Sequence, residues 1–135
     1  MFSHFHPTCI LTADSPEVAP GRGKPKPDIF LAAAKKLGRD VGTADSCTPE
    51  QAAERAKGLV FEDARLGVEA GVAAGMNGAY ARGKNALTTV VWIPDPELRA
   101  LNPDETYGSK LILEHLQELS PAEWGLPPID WKAPI

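Results

Sequence analysis

Cysteine is scarce in this chain. Cys9 and Cys47 are the only two in 135 residues, too few for a disulfide framework. The expectation is a reduced, intracellular and cytoplasmic setting. Long apolar runs are missing as well. None approaches the roughly 20 residues of a membrane span, and the opening residues show no basic region followed by an apolar stretch, so no secretory signal is expected. Positive charge is not in excess: 14 Lys and Arg stand against 18 Asp and Glu, for a net charge of −4. That argues against the electrostatic footprint of a nucleic-acid or membrane-surface partner. No internal repeat or low-complexity tract is visible. The length suits a single domain with a core. Proline, by contrast, is abundant, with 13 residues, about twice the usual share, which predicts long connections.

What is present is organised around Leu59-Val60-Phe61-Glu62-Asp63-Ala64. A short apolar run follows Gly58 and ends in two adjacent carboxylates, which predicts a buried strand over 59–61. A run carrying Gly67, Gly71 and Gly75 comes next, predicting a helix from Arg65 to its stop at Gly75. Glycines four apart make a bare stripe on one helix face. Each internal glycine costs about 1 kcal/mol relative to Ala, a cost that a close helix–sheet approach would explain.

Upstream, Gly23-Lys24-Pro25-Lys26-Pro27-Asp28 predicts a rigid loop that admits a helix over 28–37. Gly38 is placed to end it. Ile29, Phe30, Ala33, Ala34 and Leu37 are expected to form its apolar face. Thr48-Pro49-Glu50-Gln51 is a capping box opening a helix over 49–57. Cys9-Ile10-Leu11-Thr12 reads as a short strand, and 14–22 as a loop. Thr89-Val90-Val91-Trp92-Ile93 is a strand by composition, stopped by Pro94-Asp95-Pro96. Residues 97–107 read as loop or short helical turn. Leu111-Ile112-Leu113 is a candidate strand, with a short helix after it. Residues 120–135, with Trp124 and Trp131, read as a tail laid over the domain. Alternating helix and strand predict an α/β fold with a parallel sheet.

The residues alone leave the chemistry open. Glu62 and Asp63 at the carboxyl edge of a sheet lie where ligands bind in open α/β folds, and are oxygen donors of the kind Mg²⁺ prefers. Asp63 also stands where a helix N-cap belongs. Lys24, taken alone, reads as a solvated surface lysine. His4, His6 and Cys9 could be written as a metal cluster, but no second ligand pair follows at zinc-site spacing.

The ordered set Gly23-Lys24-Pro25-Lys26-Pro27-Asp28-Ile29-Phe30, Val60-Phe61-Glu62-Asp63-Ala64, Gly67-Val68 and Ala74-Gly75-Met76 resembles the haloacid dehalogenase-like (HAD) hydrolases. The nearest likeness is to the sugar- and nucleotide-monophosphate phosphatase branch that includes pseudouridine-5′-phosphatase-like proteins. It resumes at Val90-Val91-Trp92-Ile93-Pro94-Asp95, over 110–119 and at Trp124-Gly125-Leu126-Pro127. The resemblance implies a partial Rossmannoid three-layer α/β/α core over 1–119, with an insertion at 77–89 and a C-terminal tail over 120–135. It implies that Lys24 is the catalytic lysine that holds a phosphoryl group, and that Glu62 and Asp63 are metal ligands for Mg²⁺. The implied partner is a small phosphorylated metabolite. Family members attack phosphate with an aspartate from an Asp-x-Asp-Gly motif. That motif is not among these 135 residues. The expectation is therefore a core without the nucleophile strand and cap domain, phosphatase by ancestry but inactive as this chain, with weak Mg²⁺ binding. The alternatives are a non-catalytic phosphate-binding or regulatory remnant, or a misassembled gene product.

Overall fold

The structure, a computed structural model, describes residues 7–76 and 90–128. The expected insertion at 77–89, His4, His6 and Trp131 lie outside the described residues.

Two local signals set the N-terminal helices. The first, α1 (Asp28–Lys36), ends where Gly38 takes φ +75°. There Gly38 N–H donates to the Lys35 carbonyl and Arg39 N–H to the Ala34 carbonyl. This double closure, with a left-handed residue after the C-cap, satisfies carbonyls that the helix end would otherwise leave open. The second helix, α2 (Pro49–Arg55), opens with the predicted capping box. Gln51 N–H donates to Thr48 Oγ1 at 3.2 Å, and Thr48 N–H donates to Gln51 Oε1 at 2.9 Å.

The sheet follows. Strand β1 (Val60–Glu62) leads into helix α3 (Arg65–Ala73), then strand β2 (Val90–Trp92), helix α4 (Pro96–Leu101) and strand β3 (Leu111–Ile112). All pairing is parallel in the order β1-β2-β3, with Val60 opposite Val90, Glu62 opposite Trp92, and Trp92 opposite Ile112. Among the described strands, β2 is therefore central and β1 lies at an edge. Alternation along the strands sends Val60, Val90 and Trp92 to one face, where they pack with Leu31, Val41, Val68, Ala74 and Met76. Val91 goes to the other face, against Leu113, Leu119 and Trp124. Period-two alternation on buried strands explains both clusters.

The glycine stripe of α3 does what a close approach requires at one position. A Cβ built on Gly71 would stand 3.0 Å from Val90 Cγ2 and 3.1 Å from Val60 Cγ1. The helix ends at Gly75, φ +69°, where Met76 N–H donates to the Gly71 carbonyl.

Three sequence expectations are corrected. The strand expected over 9–12 does not form: Cys9 ends a 3₁₀ turn, Pro7–Cys9, and 10–12 are not extended into a sheet. An extended apolar run needs a neighbouring strand to bond, and among the described residues none lies beside it. In α1 the buried residues are Leu31 and Ala32, while Leu37 stays 67% exposed. The helix is apolar nearly all round, so periodicity could not choose its inner face. Of the expected face, Phe30 and Ala34 are partly buried against the core, and Phe30, Ala33, Ala34 and Leu37 also line an open groove of about 380 Å³, shared with Leu59, Val60 and Phe61 along β1. Third, Asp63 is not the cap of α3: the N-cap is Ala64, with no side-chain bond.

Replacing Gly71 by Leu is expected to lower the unfolding free energy by about 1–3 kcal/mol through overpacking against β1 and β2. The urea midpoint measures this. A midpoint at or above that of the unmodified chain contradicts the tight helix–sheet contact.

Candidate functional site

The carboxyl end of β1 gathers the candidate residues. Glu62 is the last residue of the strand and Asp63 the first beyond it. Lys24 arrives from the loop before α1, through a cis Lys24–Pro25 peptide. Its Nζ donates to Glu62 Oε1 at 2.5 Å and stands 5.4 Å from the Phe30 ring centroid. The Glu62 side chain is only 9% exposed and that of Lys24 is 37% exposed. A nearly buried carboxylate is thus matched by a cation that still reaches solvent. Lysine has three donors, so the bond to Glu62 leaves others for a ligand.

The loop carrying Lys24 is tied on both sides. Arg22 Nε donates to Asp28 Oδ1 at 2.6 Å, and Arg22 also reaches Asp45 at 3.4 Å. The hydrogen bond to Asp28, reinforced by both negative charges, raises the Arg22 pKa. Lys26 Nζ donates to the Gly21 carbonyl at 3.0 Å. Among the described residues, Lys24 meets an acidic side chain and Lys26 meets a main-chain carbonyl.

Asp63 is exposed, and no partner for its side chain appears among the described residues. Its main chain, however, is pinned: Trp92 Nε1 donates to the Asp63 carbonyl at 2.9 Å. Trp92 stacks edge-on with Tyr107, ring centroids 5.2 Å apart, and Arg65 lies over Tyr107 at 4.9 Å. The ion pair of Arg65 with Glu69, 2.7 Å, raises the arginine pKa. Trp92 and Tyr107 were not among the sequence candidates. The signal for Trp92 was its place as the last residue of β2, in register with Glu62. Tyr107, at φ +52°, gave none.

No group of three or more His, Cys, Asp or Glu side chains that could hold a metal is found among the described residues. Of the two acids expected to hold Mg²⁺, Glu62 is engaged by Lys24, while the exposed Asp63 is open to a narrower role. Mg²⁺ is commonly held by one or two carboxylates together with phosphate oxygens and water. Asp63 has a free carboxylate for that purpose, and Glu62 lies beside it on the chain. The groove along β1 and α1 does not include Lys24, Glu62 or Asp63.

No family model matches the chain. The chain is 39% identical over 130 residues to (DL)-glycerol-3-phosphatase 2 of Arabidopsis thaliana, covering 96% of this chain and 42% of that protein. It is 32% identical over 120 residues to a probable pseudouridine-5′-phosphatase of Saccharomyces cerevisiae, covering 87% of this chain and 42% of the other. It is 34% identical over 114 residues to a bifunctional riboflavin kinase/FMN phosphatase of Arabidopsis thaliana, covering 82% of this chain and 22% of that one. The chain therefore spans less than half the length of these relatives.

The unequal burial of the pair gives a directional prediction. Lys24→Met strands a nearly buried carboxylate and should cost about 1–3 kcal/mol. Glu62→Gln leaves a lysine that can turn to water and should cost less. Urea titrations of both variants check the order. Equal losses, or a larger loss for Glu62→Gln, contradict it.

Proposed function

We propose a function from the premise that this chain belongs to the haloacid dehalogenase-like hydrolase superfamily: it is the lysine- and acid-bearing part of a phosphomonoester hydrolase acting on a small phosphorylated metabolite. The observation that carries the reading is the Lys24–Glu62 ion pair at 2.5 Å, at the carboxyl end of a parallel strand, in a chain similar to several phosphatases.

Phosphoryl transfer asks little covalent work of a protein. It asks for positioning and for neutralisation of charge on the equatorial oxygens. Lys24 brings a fixed ammonium, steadied by Glu62 and by the Phe30 ring. A preorganised donor of this kind needs no rearrangement as negative charge shifts. Asp63, exposed and beside Glu62, supplies carboxylate oxygens for a cation. A bound Mg²⁺ would add charge neutralisation at the phosphoryl oxygens. Trp92 holds the Asp63 main chain, so the acidic turn keeps its place relative to Lys24.

The aspartate nucleophile, in this reading, comes from outside these 135 residues. The edge of β1 not bonded to β2, with the apolar groove beside it, offers a place for one more parallel strand. Relatives matched over less than half of their length agree with a contribution from elsewhere. The substrate of the whole protein falls, on this proposal, among small phosphate monoesters. The relatives are named for glycerol-3-phosphate, pseudouridine 5′-phosphate and FMN chemistry. A second reading, phosphate binding without turnover, is favoured by one observation, that no Asp-x-Asp-Gly motif occurs in the sequence.

The test is p-nitrophenyl phosphate hydrolysis with Mg²⁺. The chain alone is expected to show no turnover. Fused to the nucleophile-bearing segment of a matched relative, it should turn over, and Lys24→Ala or Asp63→Asn should abolish the gain. Turnover by the chain alone, lost in both variants, contradicts an external nucleophile. A fusion that folds but stays inactive supports the binding-only reading.

A further inference from the structure

We infer that Gly67 is a positioning residue: its missing side chain is what lets the Glu62 carboxylate lie against the first turn of α3 and meet Lys24. The inference rests on the reading of Lys24 and Glu62 as a phosphate-facing pair and adds a third member to it.

Gly67 is the third residue of α3 and is buried. Its φ is not in the left-handed region, so the backbone gives no reason for glycine there. In a helix interior, glycine is disfavoured against alanine by about 1 kcal/mol. The reason lies in space. A Cβ built on Gly67 would overlap the Glu62 carboxylate, and the three atoms nearest to it are Oε2, Cδ and Oε1 of Glu62. Gly71, one turn on, is different: its Cβ would meet Val60 and Val90. The two glycines of one stripe therefore serve separate ends, Gly71 the helix–sheet contact and Gly67 the placement of an acid.

The consequence of adding a Cβ follows from which group must move. The obstructed atoms are the far end of a rotatable side chain. Glu62 can swing away while β1 and α3 stay packed. Its carboxylate would then leave Lys24, whose present separation of 2.5 Å allows no such displacement. The acidic end of the helix turn also loses a favourable site, because a carboxylate near a helix N-terminus is stabilised by the helix dipole. Alanine at 67 is thus expected to spare the fold and disconnect the pair.

Amine acetylation followed by mass spectrometry on the 135-residue chain tests this. Lys24 is read against Lys35, which is exposed on α1. In Gly67→Ala, acetylation of Lys24 should rise several-fold relative to Lys35, to the level seen in Glu62→Gln, with no fall in Tm. Unchanged Lys24 reactivity in Gly67→Ala overturns the inference. So does a rise at all lysines together, because that marks a loss of fold rather than of the pair. A further arm adds orthophosphate. It should protect Lys24 in the unmodified chain and fail to do so in Gly67→Ala. Selective exposure of Lys24 in Gly67→Ala without phosphate protection in either protein upholds the positioning role and contradicts the phosphatase reading.

Discussion

The close seating of α3 on β1 and β2 is the constraint on which the rest depends. It brings the helix's first turn beside the last residue of β1, so that Glu62, Asp63 and the helix start form one compact corner. Bulk at Gly71 would lift the helix away from Val60 and Val90. The sheet then fixes Trp92 opposite Glu62, and the Trp92 indole holds the Asp63 carbonyl. A short parallel sheet and one glycine-bearing helix thus locate the acids before any ligand is considered.

Charge balance explains the second half of the corner. Burying a carboxylate without a partner is expensive, and Glu62 is nearly buried. Lys24 meets that need from a loop some forty residues earlier, held by its own turns and by the Arg22–Asp28 pair. The lysine stays open to solvent, so it is not consumed by the pairing. The contact therefore does two things at once: it offsets the burial of Glu62 and it places the ammonium.

Much of this was legible in the sequence because the signals are local. The Thr48–Gln51 capping box, Gly38 and Gly75 as helix ends, and the apolar run leading into Glu62 each depend on neighbours in the chain. The close-approach meaning of the glycine stripe was legible too, since an internal glycine has a known cost. What was not legible depends on long-range partners. Arg55 looks like a surface residue in the sequence, yet it is buried and donates to the Val41 and Thr43 carbonyls. The strand expected at 9–12 lacked a neighbour to bond. The inner face of α1 could not be picked from a helix apolar on most sides. Lys24 could not be told from Lys26 by charge or spacing alone; only the fold brings one of them to Glu62.

The central claim is that Lys24 and the acidic end of β1 form one phosphate-facing site. Amide NMR of the isotope-labelled 135-residue chain, titrated with orthophosphate in the presence of Mg²⁺, tests it most directly. The account predicts saturable shifts at Lys24, Lys26, Glu62, Asp63 and Arg65, removed by Lys24→Met. Shifts centred instead around Lys35, Lys36 and Thr43, or none at all, would contradict it.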